Sequence, residues 1–331
     1  MVPASADLVV SVEDASGARA LLARAGVHAP SLTPEAIGSA LRERVGIDLL
    51  AEPAAWGLSP RGARMLVFSR SGAGLIAPVK DAPAAKKMLA SWIAGKANRA
   101  GRIAGARLLT ASGRDASALL AAMARPAALQ RDLAARAKAP LWVWAALEHP
   151  LRGMVLAVDA SATGLSARGL ATAAQPILTG AAPAGCDGTI ACIRAGLGPA
   201  GRTALAKLMT VLAGSSQPAL DRASRAEERL EAIEVRELSD PRSLPRALRL
   251  VPVFDGPESA GPALEAHIDL AAVDSALTTM TPLDALRGGL AASAFAAHLV
   301  YGRLLRNSGP LTLSATAGGN TADLALHLPL R

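Results

Sequence analysis

One joint recurs along this chain and restricts its fold more than any other feature. A β-like run ends, a cap residue follows, and a helical pattern starts at once. It stands in "LVVSVED" followed by "ASGARALLA", in "LIAPVKD" followed by "APAAKKMLA", and in "IACIRAGLG" followed by "PAGRTALAKL". Asp14 and Asp81 are the residue type that accepts hydrogen bonds from the orphan N–H groups of a first helical turn. Pro199 suits the first helical position, where its missing N–H costs nothing. Elsewhere the strand-like runs come in pairs and triples, as in "ARMLVFS" with "LIAPV", or "PLWVWAALE" with "GMVLAVDAS" and "GLSARGLAT". Consecutive strands with helices inserted at such joints imply an α+β fold, with mainly antiparallel sheets and helices packed on one face.

The same reading places a strand over 8–12, a helix over 15–25 closed by Gly26, and a helix opened by Thr33 and Pro34. A short helix follows near "EPAAWGL", and "GRIAGARLLTA" reads as one strand. A helical stretch runs over 115–138. The segment 173–188 is rich in Pro, Gly and Ala and reads as a linker. It separates an N-terminal lobe, 1–178, from a C-terminal lobe, 186–331, and their similar openings suggest a duplication. The second lobe holds a charged helix around 218–234 and the strands "RLVPVFDG" and "ALEAHIDLAA". A long helix starts at Thr281 and Pro282, with an apolar stripe through Leu283, Leu286, Leu290, Ala294, Ala297, Tyr301 and Leu304. A hairpin around Gly318, Gly319 and Asn320 closes the chain.

With 51% of its 331 residues apolar and 2% aromatic, the chain must build a close-packed aliphatic core. The scarcity of rings also disfavours functions that stack bases or sugars on aromatic faces. The net charge of +8 is concentrated: window 61–107 holds ten basic residues against the single acid Asp81. Lys86, Lys87, Lys96, Arg99 and Arg102 are its candidate binding residues. Such a patch suits a lipid surface, an anionic envelope component or a partner protein. The bland alternative is solvated surface charge, and nucleic acid is disfavoured because no groove-reading or RNA-binding signature accompanies it. If "GRIAGARLLTA" is one strand, alternation puts Arg107 on the face opposite Arg102.

Gly196, Gly198 and Gly201 reproduce the spacing of a dinucleotide fingerprint. The context does not fit. Arg194 interrupts the run that should be a fully buried strand, and no strand about 20 residues on ends in an acid. We therefore expect no cofactor. The two cysteines, Cys186 and Cys192, match no zinc or CxxC redox spacing. They read either as a small disulfide made in an oxidising compartment or as two buried thiols. Trp142 and Trp144 share one strand face and could line a hydrophobic ligand groove or sit in the core. Glu265, His267 and Asp269 alternate along one strand, and with His327 they could form an acid–base or metal face, or a solvent-facing polar side. No hydrolase elbow, zincin motif or P-loop is present.

The start "MVPASADLVV" has no basic, then apolar, targeting pattern, which suits a cytoplasmic protein or a mature secreted domain. The apolar run "GGLAASAFAAHLVYG" is shorter than the roughly 20 residues of a spanning helix and reads as a buried helix, so no transmembrane segment is expected. The opening "PASADLVVSVED", the joint "APVKDAPAAKKML" and the closing "GPLTLSATAGGNTADLALHLPL" together resemble a poorly characterised group of bacterial secreted proteins and lipoproteins of unknown function. That resemblance implies a periplasmic or extracellular envelope location and carries over no catalytic residue. The resulting expectation is a non-enzymatic envelope protein that binds a hydrophobic or anionic ligand, or a partner. The alternatives are a hydrolase with a dispersed site and a nucleotide-dependent oxidoreductase using Gly196, Gly198 and Gly201.

Overall fold

The computed structural model describes residues 6–50, 53–124, 139–147, 149–161, 163–182, 188–213, 230–236, 248–252, 262–281 and 289–330. Among them are fifteen strands and seven α-helices. All the strand pairs whose register is set are antiparallel, so the fold is α+β. The chain divides into two compact units, 1–147 with 154–160, and 148–153 with 161–331.

The first unit opens with β1 (Leu8–Val12), α1 (Ala15–His28) and α2 (Pro34–Val45). β2 (Arg64–Ser69) and β3 (Gly72–Pro78) form a hairpin, and α3 (Ala82–Ile93) follows. Then come β4 (Arg99–Ala104), β5 (Arg107–Gly113), α4 (Ala116–Ala124) and β6 (Leu141–Ala146). The sheet order is β6-β1-β2-β3-β5-β4. The expected caps are in place. Asp14 accepts from the Ser16 and Gly17 amides, Thr33 from Ala36 and Asp81 from Ala84. The Ser16 hydroxyl also donates to Asp14, and these bonds hold its carboxyl below the ordinary range against some desolvation. Helix α1 runs past Gly26 to His28, because Gly26 packs against Thr33 at the start of α2, where a Cβ would come within 2.8 Å of its methyl.

Two sheet faces follow from the registers. Leu66, Leu75, Leu108 and Thr110 lie on the side of α2 and α3: the Thr110 hydroxyl donates to the Val45 carbonyl, and Leu41, Leu89 and Trp92 join the same core. Met65, Ile76 and Leu109 lie on the opposite side with Met123 of α4. The stretch "GRIAGARLLTA" is therefore a tight hairpin rather than one strand, turned at Gly105, whose φ of +58° suits a residue without a Cβ. Pairing Arg102 with Leu109 and Ala104 with Arg107 puts both arginines on the α4 face, which overturns the expectation that they oppose. Arg64 is 1% exposed, and its Nη2 donates to the Ser59 and Pro60 carbonyls. Burial pushes its guanidinium down, and the Asp14 carboxylate counters part of that.

β7 (Leu151–Ser161) contributes Met154–Ala160 to the first unit. The second unit contains β8 (Gly164–Ala173), β9 (Leu178–Gly180), β10 (Ala191–Leu197), α5 (Pro199–Ala213), β11 (Leu230–Val235) and β12 (Leu248–Pro252). It continues with β13 (Leu264–Ile268), α6 (Leu270–Leu277), α7 (Gly289–Arg306), β14 (Leu311–Gly318) and β15 (Thr321–Pro329). Its strands run β12-β11-β10-β13-β14-β15-β8, with β9 beside the end of β10. In the first unit β1 lies between β2 and β6, and in the second β10 lies between β11 and β13.

Several expectations change here. Within the expected linker 173–188, the described residues 173–182 are no free linker: Ile177, Leu178 and Ala182 are buried and β9 pairs with β10; residues 183–187 lie outside the described residues. The charged helix around 218–234 gives way over Leu230–Val235 to a strand, because pairing with β10 and β12 overrides local helix propensity; residues 214–229 lie outside the described residues. The "GGLAASAFAAHLVYG" helix is not wholly buried: Leu299, Val300 and Tyr301 are 68%, 45% and 37% exposed. α7 turns a different stripe to α6. His298 Nδ1 meets Asp274 Oδ1 at 2.9 Å and Arg306 Nη1 donates to Oδ2 at 3.3 Å. Asp274 is itself 1% exposed, so these two partners satisfy a buried carboxylate and fix the rotation of α7.

Candidate functional site

The hairpin end of the first unit's sheet carries a basic cleft of about 510 Å³. Four segments supply arginines to it. Arg44 comes from the last turn of α2, Arg70 from the β2–β3 turn, Arg99 from the start of β4, and Arg114 from the exit of β5. Arg99 is held in place. Its Nη1 donates to the Trp92 carbonyl at 3.0 Å and Nη2 to the Glu43 carbonyl at 3.2 Å, and its guanidinium lies 5.1 Å from the Trp92 ring centroid. Arg44, Arg70 and Arg114 are exposed and make no ion pair among the described residues. Glu43 is the one acid among the described lining residues.

The cleft also holds hydroxyls. Ser69 and Ser71 are 2.8 Å apart and share a proton-bearing contact, and the Ser112 hydroxyl donates to the Arg44 carbonyl. The first bond lies within the β2–β3 turn that carries Arg70, and the second ties the end of β5, next to Arg114, to the last turn of α2. Guanidinium groups present a planar fork that matches carboxylate and phosphate oxygens. The chemistry available is therefore recognition of a multivalent anion.

The sequence-level candidates are distributed as follows. Arg99 lies in the cleft. Lys86 and Lys87 are exposed on α3, whose other side buries Ala85, Leu89 and Trp92. Lys96 is exposed beyond the helix end, and Arg102 lies on the α4 face. So the basic window does not act as one patch. Arg44 and Arg114 fall outside it and were missed, because their proximity is set by the packing of α2 on β5, which no linear charge count reveals. Trp142 is buried and donates its indole N–H to Glu13 at 2.8 Å; Trp144 is half-buried on the same face, and neither lines the cleft.

In the second unit the three glycines have a packing role. A Cβ on Gly196 would come within 2.6 Å of Gly180 backbone, one on Gly198 within 2.4 Å of the Pro176 carbonyl oxygen, and one on Gly201 within 2.2 Å of the Ile177 carbonyl oxygen. The Gly198 and Ala200 amides already donate to Ile177 and Pro176, and β10 lies between antiparallel strands. A phosphate loop needs those amides free and a parallel βαβ unit. Gly201→Ala is accordingly expected to destabilise the protein by about 2 kcal/mol through overpacking. Thermal melts should show the same loss with and without millimolar NAD; a nucleotide-dependent rescue would contradict the packing role.

His267 and His327 flank Thr312 across three strands. Asp269 leaves that face: it caps α6, accepting from the Ala271 and Ala272 amides. No group of three metal-ligating side chains occurs among the described residues. Cys192, on β10 and opposite His267, is 1% exposed and disulfide-bonded. The chain's other cysteine, Cys186, lies outside the described residues. Thiol titration of denatured protein made in an oxidising compartment should therefore count no free thiol, and a count of two would contradict the bond.

No helix among the described residues is long and apolar enough to cross a membrane. No family model matches the chain, and no curated protein does. Among solved structures it has a distant likeness to crystal forms III and I of TP0453, each 11% identical. The matches cover 51% and 50% of this chain and 76% and 75% of theirs, both with a TM-score of 0.29. Form IV is similar at 12% identity, covering 50% of this chain and 76% of that one, with a TM-score of 0.28. A likeness at that level carries no argument about function.

Proposed function

We propose that the protein is a non-enzymatic binding or scaffold protein of the bacterial envelope that takes an anionic surface or ligand in the cleft formed by Arg44, Arg70, Arg99 and Arg114. The observation that carries this reading is the convergence of four arginines from separate segments on one cleft with a single acid among its described lining residues. Keeping like charges together costs folding energy, so their placement makes sense where an anion joins them. The disulfide at Cys192 supports an oxidising compartment.

The test is vesicle binding. The full chain should bind vesicles rich in phosphatidylglycerol and not vesicles of phosphatidylcholine, and the affinity should fall steeply between 0.05 and 0.2 M salt, where the Debye length drops through about 10 Å. Equal binding to both vesicles, or none to either, overturns the reading. A preference for oligonucleotide over vesicle would move the ligand away from the envelope.

A further inference from the structure

A second cavity lies at the other end of the same sheet, on the α4 face, and shares no described lining residue with the basic cleft. It measures about 370 Å³, within the range of roughly 300–1,000 Å³ typical of small-molecule sites. Its described floor is aliphatic. Ile76, Leu109 and Met123 are 8%, 3% and 2% exposed, so they are anchored in the core while presenting an edge to the cavity. Met65 adds a second thioether, a side chain that adapts to an irregular apolar guest. No aromatic ring is among the described lining residues, so there is nothing to stack a planar ligand on.

One charged side chain is among those lining residues: Arg107, which is exposed and makes no ion pair among the described residues. Arg102 stands on the same face, beside Ala121 and Ala124 of α4. The hairpin turned at Gly105 brings both arginines here. An aliphatic slot with one guanidinium at its edge has the polarity of an amphiphile in mirror image. We infer that this cavity binds a single acyl chain ending in a carboxylate, a fatty acid of about twelve carbons. The chain lies against Met65, Ile76, Leu109 and Met123, and the carboxylate pairs with Arg107. A polyanion would leave the apolar floor unused, and an uncharged hydrocarbon would make no use of the guanidinium of Arg107.

The test is calorimetric titration of the full chain with laurate and with dodecanol, which has the same chain length and no charge. Laurate is expected to bind at least about tenfold tighter, as a charge-assisted hydrogen bond commonly provides. Arg107→Gln should bring laurate down to the level of dodecanol. Ala104→Trp should abolish binding of both: Ala104 is exposed and lines the cavity, so an indole there fills the slot without entering the core. Unchanged thermal melts would show that both variants fold. Arg44→Gln/Arg70→Gln should leave laurate binding intact, which separates this site from the basic cleft. No laurate binding by wild type, equal affinity for laurate and dodecanol, or wild-type affinity in Ala104→Trp each overturns the inference.

Discussion

An Arg44→Gln/Arg70→Gln/Arg114→Gln variant is expected to lose roughly a hundredfold in affinity for phosphatidylglycerol vesicles while melting at the wild-type temperature. Each basic side chain near an anionic surface contributes about 1 kcal/mol. Removing three gives about 3 kcal/mol, or some two decades in the dissociation constant. Stability should hold because the three side chains are exposed and have no ion pairs to lose among the described residues. Arg99 is left in place because its bonds to Trp92 and Glu43 tie β4 to α3 and α2. An Arg102→Gln/Arg107→Gln variant, altered on the opposite face, should lose much less per charge removed. Equal losses per charge in the two variants would mean that the vesicle senses net charge, and the cleft would have no special standing.

Leu75→Ala should lower stability by about 3 kcal/mol, within the range of 2–5 kcal/mol for such core truncations. Leu75 is 0% exposed at the centre of the core shared by Leu41, Leu49, Leu66, Leu89 and Leu108. Its neighbours come from β2, β5, α2 and α3, and strands pinned on both sides cannot close the gap by a small shift. For a unit of this size the melting temperature should fall by about 6–12 °C. Val27→Ala, on the outer side of α1 and 59% exposed, should stay within about 0.5 kcal/mol. A comparable drop in both variants would mean that the packing around Leu75 is looser than its burial implies. The same loss should also weaken vesicle binding only in proportion to unfolding, because Leu75 does not line the cleft.

The caps show what local chemistry decides. Thr33, Asp81 and Asp14 each sit one residue before a helix, and each accepts the first-turn amides that its side chain is built to accept. That signal needs only a few neighbouring residues, so it is written in the sequence. Strand alternation is equally local, which is why β1, β2, β3 and the closing β14–β15 hairpin were legible. The glycines need a different account. Gly26 read as a helix stop and did not end its helix, while Gly196, Gly198 and Gly201 carried the spacing of a phosphate loop in a context that already spoke against one. Each is instead explained by another segment, Thr33 or 176–180, pressing against the missing Cβ. A glycine announces that space is needed but not what fills it.

The candidate site followed the same division. Charge density over 61–107 could be counted from the sequence, but the grouping of those charges could not. A single turn at Gly105 put Arg102 and Arg107 on one face, and the packing of α2 on β5 carried Arg44 to Arg70, Arg99 and Arg114. Residues 44 and 114 are 70 positions apart, and nothing within either neighbourhood records the other. The α+β class, the helix starts and the aliphatic core are legible residue by residue, because caps, periodicity and side-chain volume act over a turn or a strand. Which arginines share a cleft and which edge an apolar cavity emerges with the folded chain, because side-chain convergence depends on strand register and helix docking between distant segments.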